Sequence, residues 1–308
     1  MDVFVLFLRY INISLSLATN LYKSKARFVF ELIQNAEDNN YNHAATARSD
    51  PYIQFSIYPD KIVVENNEDG FSIANVEAIS KIAVSTKMRT DSQYYIGEKG
   101  IGFKSVFMVA SKVYIHSGPF SFFFEHPSPS DNSGMGMITP VNYVPEVTFS
   151  HPLTKITLIL KDNVDRQDLE KQFFKDLPDT LLLFLKKLKK ITINKYDETT
   201  ALSNHTTYTC DCDDGNRRAI LTKVTQTGGG PPETSLTRYF TTKRQLSNLP
   251  EDDQRKNHNT AEIVLAFPVD GKDVPIIARQ DVYAYLPVDS FGFPVCLNRL
   301  SRREGKDG

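Results

Sequence analysis

Between residues 15 and 36 apolar side chains return every three or four positions, at Leu21, Tyr22, Phe28, Val29, Leu32, Ile33 and Ala36. That spacing predicts a helix with one buried face. At about 100° per residue, Val29, Leu32, Ile33 and Ala36 fall together while Glu31, Asn35 and Asp38 gather on the opposite side. The polar run Asn39 to His43 ends the helix. Tyr52 to Tyr58 alternates as a strand, Pro59-Asp60 reads as a turn, and Lys61 to Glu65 returns as a second strand. This hairpin delivers Asn66 and Asn67 at its exit. Ser72 to Val84 has a helical pattern, and Ser85 to Tyr95 is polar and aperiodic, as a mobile lid would be. Phe103 to Ala110 reads as a further helix. Strands are predicted over 113–117, 120–125 and 155–161, with a Ser, Pro and Gly-rich loop over 127–136.

The second half changes character. Asp165 to Asp176 is helical until Pro178, and the Leu-rich stretch 180–190 resumes as helix. In it Leu181 to Leu185 belong to the core, and Lys186, Lys187, Lys189 and Lys190 form a solvated face. A strand follows at Ile191 to Ile193, and a domain boundary is expected near residue 195. Beyond it come mostly short strands, at 206–209, 218–225, 261–268 and 282–286, separated by loops at 227–233 and 248–259. The pattern predicts an α+β chain: a first domain over 1–195, and a smaller β-rich domain over 196–308 with a disordered tail from about residue 301.

Composition narrows this picture only modestly. A chain of 308 residues with 41% hydrophobic content buries a full core and fits about two domains. A net charge of -1 and a pI near 6.6 give no clear nucleic acid signal. Three cysteines are an odd number in a chain long enough to fold without staples, so an intracellular compartment, cytoplasmic or nuclear, is expected. Met1 to Leu8 is apolar, but Asp2 and the early Arg9 fit neither a secretory signal nor a membrane span. Cys210-Asp211-Cys212 has no second ligand pair, which argues against a structural zinc site.

Candidate chemistry lies in the first half. Glu31 and Asn35 stand four residues apart on one helix, so a carboxylate able to orient or deprotonate a water and an amide oxygen able to reach Mg²⁺ share one small volume. Gly97, Gly100 and Gly102 form a GxxGxG run that opens into the helix predicted at Phe103. Glycines there allow backbone N–H groups to approach an anion, and the helix adds its dipole. The run is not a P-loop, because Lys104-Ser105 has the wrong spacing, and it lacks the strand-first context of a dinucleotide fold.

Taken in order, these segments resemble the GHKL superfamily of ATPases (gyrase B, the large heat-shock chaperones, histidine kinases and MutL), and within it the sacsin and NO VEIN-like branch. Glu-Leu-Ile-Gln-Asn-Ala-Glu-Asp at 31–38 is similar to the first motif of that superfamily. The resemblance implies Glu31 as catalytic base, Asn35 as Mg²⁺ ligand, and Asp38 and Asn39 as pocket wall. Ile96 to Phe107 resembles the glycine-rich lid motif, with Gly97, Gly100, Ile101, Gly102 and Phe103 on the phosphates. Ala83 to Lys87 resembles the opening of the lid and brings Lys87 into the set, while Leu153-Thr154-Lys155-Ile156 resembles the motif whose threonine, here Thr154, supports the adenine side. The implied fold is a Bergerat-type two-layer sandwich, a mixed and mainly antiparallel sheet with helices on one face. The implied ligands are ATP or ADP with Mg²⁺, and the implied partner is a protein client.

One departure stands out. Where the superfamily has DxGxG, this chain has Asn66-Asn67-Glu68-Asp69-Gly70, keeping only the last glycine. Asn66 is then the expected acceptor for the adenine amino group, and a neutral acceptor makes a weaker hydrogen bond than a charged one.

Overall fold

In a computed structural model the described residues are 27–84, 103–125, 140–144, 153–174, 177–213, 215, 217–246, 261–277, 282–284, 286–289 and 296–300. Several expectations lie outside them: the helix before residue 27, the loop at 85–95 with Lys87, the glycine run with Gly97, Gly100, Ile101 and Gly102, the loops at 127–136 and 248–259, and the tail from 301.

The hairpin forms as the alternation predicts. Strand β1 (Tyr52–Ile57) pairs antiparallel with β2 (Lys61–Asn66), and the Tyr58 N–H donates to the Lys61 carbonyl at 2.8 Å to close the turn. β3 (Ala110–Ser117), β4 (Phe120–Glu125), β5 (Val141–Asn142) and β6 (Thr154–Leu160) extend the sheet beyond β2, with β6 inserted between β2 and β3. On the other side β7 (Lys190–Tyr196) lies parallel to β1. Register aligns one apolar residue per strand: Ile193, Phe55, Val64, Ile156, Ile115 and Phe122 follow one another across β7, β1, β2, β6, β3 and β4, all buried. Same-parity positions make one continuous apolar face, which is what a period of two requires.

Helices cover that face. α1 (Arg27–Asp38) buries Phe28, Val29, Leu32, Ile33 and Ala36, the face its spacing predicts. α4 (Arg166–Phe174) joins it through Phe173, whose ring lies 6.1 Å from Phe28 and 5.1 Å from Phe55 on β1. α2 (Asn42–Thr46) is a short turn after α1, and α3 (Ile73–Val84) follows the loop after β2.

The expected Bergerat-type two-layer sandwich, with a smaller β-rich part after it, is not the fold: one large mixed sheet with few helices is. β8 (Leu202–Asp213), β9 (Arg218–Thr227), β10 (Glu233–Leu246), β11 (Ala261–Val269), β12 (Val282–Ala284), β13 (Leu286–Asp289) and β14 (Cys296–Leu300) join the same sheet. It has fourteen strands in the order β13-β12-β14-β11-β10-β9-β8-β7-β1-β2-β6-β3-β4-β5. Helices are few among the described residues, too few to make the second layer of a sandwich over such a sheet. The physical cause is β7. It pairs with β1 on one side and β8 on the other, so neither half keeps a free edge there and the ladder runs through.

Two further expectations give way. The stretch 180–190 is not a helix: only Asp179–Phe184 coils, as a short 3₁₀ turn, and Leu185 is already extended with ψ 138. Leu181, Leu182, Leu183 and Phe184 are all buried and leave no polar stripe for a longer surface helix. Phe103–Met108 is likewise a six-residue 3₁₀ helix rather than an α-helix. Ala110 is already committed to β3, so the turn there carries less dipole than expected.

Candidate functional site

The apolar face ends in a polar rim. One register step beyond Val64, Ile156 and Ile115, on the same face, stand Asn66, Thr154 and Ser117, with Thr154 opposite both of the others. All three are buried. The Phe71 N–H donates to Ser117 Oγ at 2.8 Å, and Ser117 and Thr154 share a hydroxyl-to-hydroxyl hydrogen bond. When Ser117 is its donor, the Thr154 proton is left for Glu68.

Glu68 is the group that sequence reasoning passed over. Only 2% of it is exposed, and its Oε1 has no hydrogen-bond partner. Burial pushes its carboxyl from 4.5 up to about 7; hydrogen bonds from Thr154 and Asn39 pull the other way, and Asp69 adds to the rise. The neighbouring acids are handled differently. Asp69 is half-buried; that burial pushes its pKa up, but N–H groups of His43 and Asn42 and the Asn42 side chain outweigh it and hold the pKa low. Asn66 Oδ1 already accepts the Glu68 N–H at 3.3 Å, so the residue expected to read a base is spent partly on shaping its own loop. Gly70, at φ +91°, completes the turn, with its Cα side facing the Gly118 backbone.

Asn39 reaches this rim because the end of α1 is tied down. The Glu37 carboxylate accepts the N–H groups of Lys186, Lys187 and Leu188, at 2.6 to 3.2 Å, 3.0 Å in the last case. In return Lys187 Nζ donates to the carbonyls of Asp38 and Asn39, satisfying a helix C-terminus with a cation. Lys187 is exposed, as expected of a solvated face, and it also acts as a clamp. Tyr41 adds a hydrogen bond from its hydroxyl to the Ala36 carbonyl at 2.8 Å.

The structure thus brings Asn39, Asn66, Gly70 and Thr154 into one neighbourhood around Glu68. Phe103 is buried in the core at the head of the 3₁₀ helix, which packs directly on α1. On α1 itself Glu31 is half-buried, and Asn35 and Asp38 are exposed. Ser117 carried a readable signal: it is a polar residue at the parity of Val113 and Ile115, as Thr154 is at the parity of Ile156 and Leu158. Glu68 carried none, since it lies past the strand where parity no longer applies.

Among the described residues no three His, Cys, Asp or Glu side chains form a metal-holding group, and no helix is long and apolar enough to cross a membrane. No family model matches the chain. It is 30% identical over 301 residues to Protein NO VEIN of Arabidopsis thaliana, an alignment that takes in 90% of this chain and 10% of that protein. The chain therefore spans about a tenth of the length of the curated relative it matches, and over that tenth it is similar to a part of Protein NO VEIN.

Proposed function

We propose that this chain binds ATP with Mg²⁺ at the polar rim of the sheet and hydrolyses it slowly, in the manner of the GHKL ATPases, to drive a conformational change. The observation that carries the reading is the Glu68 carboxyl, buried beside Asn39, Asn66 and Thr154 with one oxygen unpartnered. A buried acceptor without a donor is costly, and a ligand N–H such as the exocyclic amine of adenine would satisfy it. Glu68, more than Asn66, is then the acceptor on the base side.

The same helix α1 that ends at this rim carries Glu31 and Asn35 one turn apart, and it packs on the 3₁₀ helix that follows the glycine run. Glu31 would orient or deprotonate the attacking water, and Asn35 would offer an oxygen to Mg²⁺. A sparse protein ligand set suits this cation, which keeps several waters and takes oxygens from the nucleotide. Bound Mg²⁺ would supply neutralisation of phosphate charge.

The test is a titration with ATP, ADP and GTP, with and without Mg²⁺, run beside phosphate release. ATP is expected to bind more tightly than GTP, and Glu31→Ala to keep binding while release falls by about 10²-fold or more. No nucleotide-dependent thermal shift would remove the proposal. A second reading, a nucleotide-gated scaffold without useful hydrolysis, is favoured by Asn66 standing in the aspartate position and engaged within its own loop. Binding with release that does not depend on Glu31 would select it.

A further inference from the structure

β8 carries two thiols on its buried-face parity. Tyr208 and Cys210 are buried, and Cys212, the next residue of that parity, emerges at the rim and is exposed. The two sulfurs lie 3.0 Å apart. Two residues along a strand separate Cα atoms by about 6.6 Å, at the upper end of the roughly 4.4–6.8 Å that a disulfide spans, and the Cβ atoms must close to roughly 3.5–4.5 Å, so a bond between them requires the strand to pucker at Asp211. The place tolerates it: Cys212 pairs with Ala219, and β8 ends one residue later at Asp213.

The geometry points to Cys210 and Cys212 as a vicinal-type dithiol modification site, which an oxidised low-molecular-weight thiol converts to an intrastrand disulfide. The exposed Cys212 thiolate attacks one sulfur of the oxidant, forming a mixed disulfide and expelling one thiolate. Cys210 then loses its proton to solvent and attacks Cys212 Sγ; the second small thiol leaves and takes up a proton. Two protein thiols are oxidised and one small-molecule disulfide is reduced to two thiols.

The order of attack follows from the environment. The Cys212 thiol, then burial, hold the Cys210 pKa far above its usual range, with Asp211 adding to the rise and Lys189 opposing it. Cys210 is therefore not the entry nucleophile. Burial still shields Cys210 from the small oxidant, and capping Cys212 places an electrophilic sulfur directly beside it, so the second step is intramolecular. Cys296, on β14, is four strands away from β8 in the sheet order, about 19 Å along a sheet of ordinary spacing, and stands apart from the pair.

The experiment is incubation of the reduced, full chain with glutathione disulfide, followed by alkylation with N-ethylmaleimide and peptide mass analysis. Trypsin releases residues 196–217 as one peptide holding both cysteines. The wild-type peptide is expected to lose two hydrogens and to carry neither glutathione nor maleimide. With Cys210→Ser the same peptide should retain glutathione on Cys212. With Cys212→Ser, the exposed and therefore safer substitution, Cys210 should stay unmodified by glutathione and alkylate only after denaturation. A wild-type peptide with stable glutathione on Cys212 and a free Cys210, or with both thiols alkylated, or a bond to Cys296, would overturn the assignment.

Discussion

Glu68→Gln isolates the cost of the buried carboxyl. In the unfolded chain this group titrates near 4.5, whereas burial holds it to about 7 in the fold. Between those values the unfolded chain has released a proton that the folded chain still holds, so stability falls as pH rises, and above about pH 7 the loss is complete. A carboxyl displaced that far costs the folded state roughly 3 kcal/mol once ionised. Glutamine keeps the shape and still accepts from Thr154 and Asn39, but it never ionises. The variant and the wild type should therefore be close in stability at about pH 4, and the variant should be the more stable by about 3 kcal/mol at about pH 8. Urea unfolding at pH steps across that range measures the difference, and the other carboxylates cancel because both chains carry them. A difference that stays flat with pH, or a variant less stable than wild type on the alkaline side, would refute the claim that Glu68 is buried and charged at a cost.

Other perturbations reach the supports of the site. Glu37→Ala removes the acceptor for three backbone N–H groups before β7, and should cost about 2 kcal/mol or more in urea unfolding; an unchanged midpoint would mean the clamp is ornamental. Gly70→Ala places a side chain at φ +91° with its Cβ 3.4 Å from the Gly118 nitrogen. It should lose about 1–2 kcal/mol, read as a lower melting temperature, and a neutral result would contradict the turn geometry.

Much of the local structure was legible because its causes are local. The α1 stripe from Phe28 to Ala36 and the alternation of Tyr52 to Ile57 are properties of neighbouring residues, and both elements formed as spaced. The failures came where pattern was silent or ambiguous. β10 went unforeseen because Leu236 and Phe240 lie on the exposed face of a strand whose other face holds Ser235 and Thr237. The helical reading of the stretch 180–190 failed because the run Leu181 to Phe184 packs against β8 and β9 as a short buried turn.

Sequence by itself determined which residues share a face, which turns close hairpins, and that Thr154 is a polar residue in an apolar series. Tertiary structure alone decided that β7 has partners on both sides, so that one ladder of fourteen strands runs through both halves of the chain. It alone decided, too, that Asn39, Asn66 and Thr154 converge on Glu68, with Ser117 behind Thr154. Hydrogen-bond ladders between strands far apart in the chain, and the hydrogen bond to a buried carboxyl from Thr154, 86 positions away, are set by closure of the whole sheet; no window of neighbouring residues contains them.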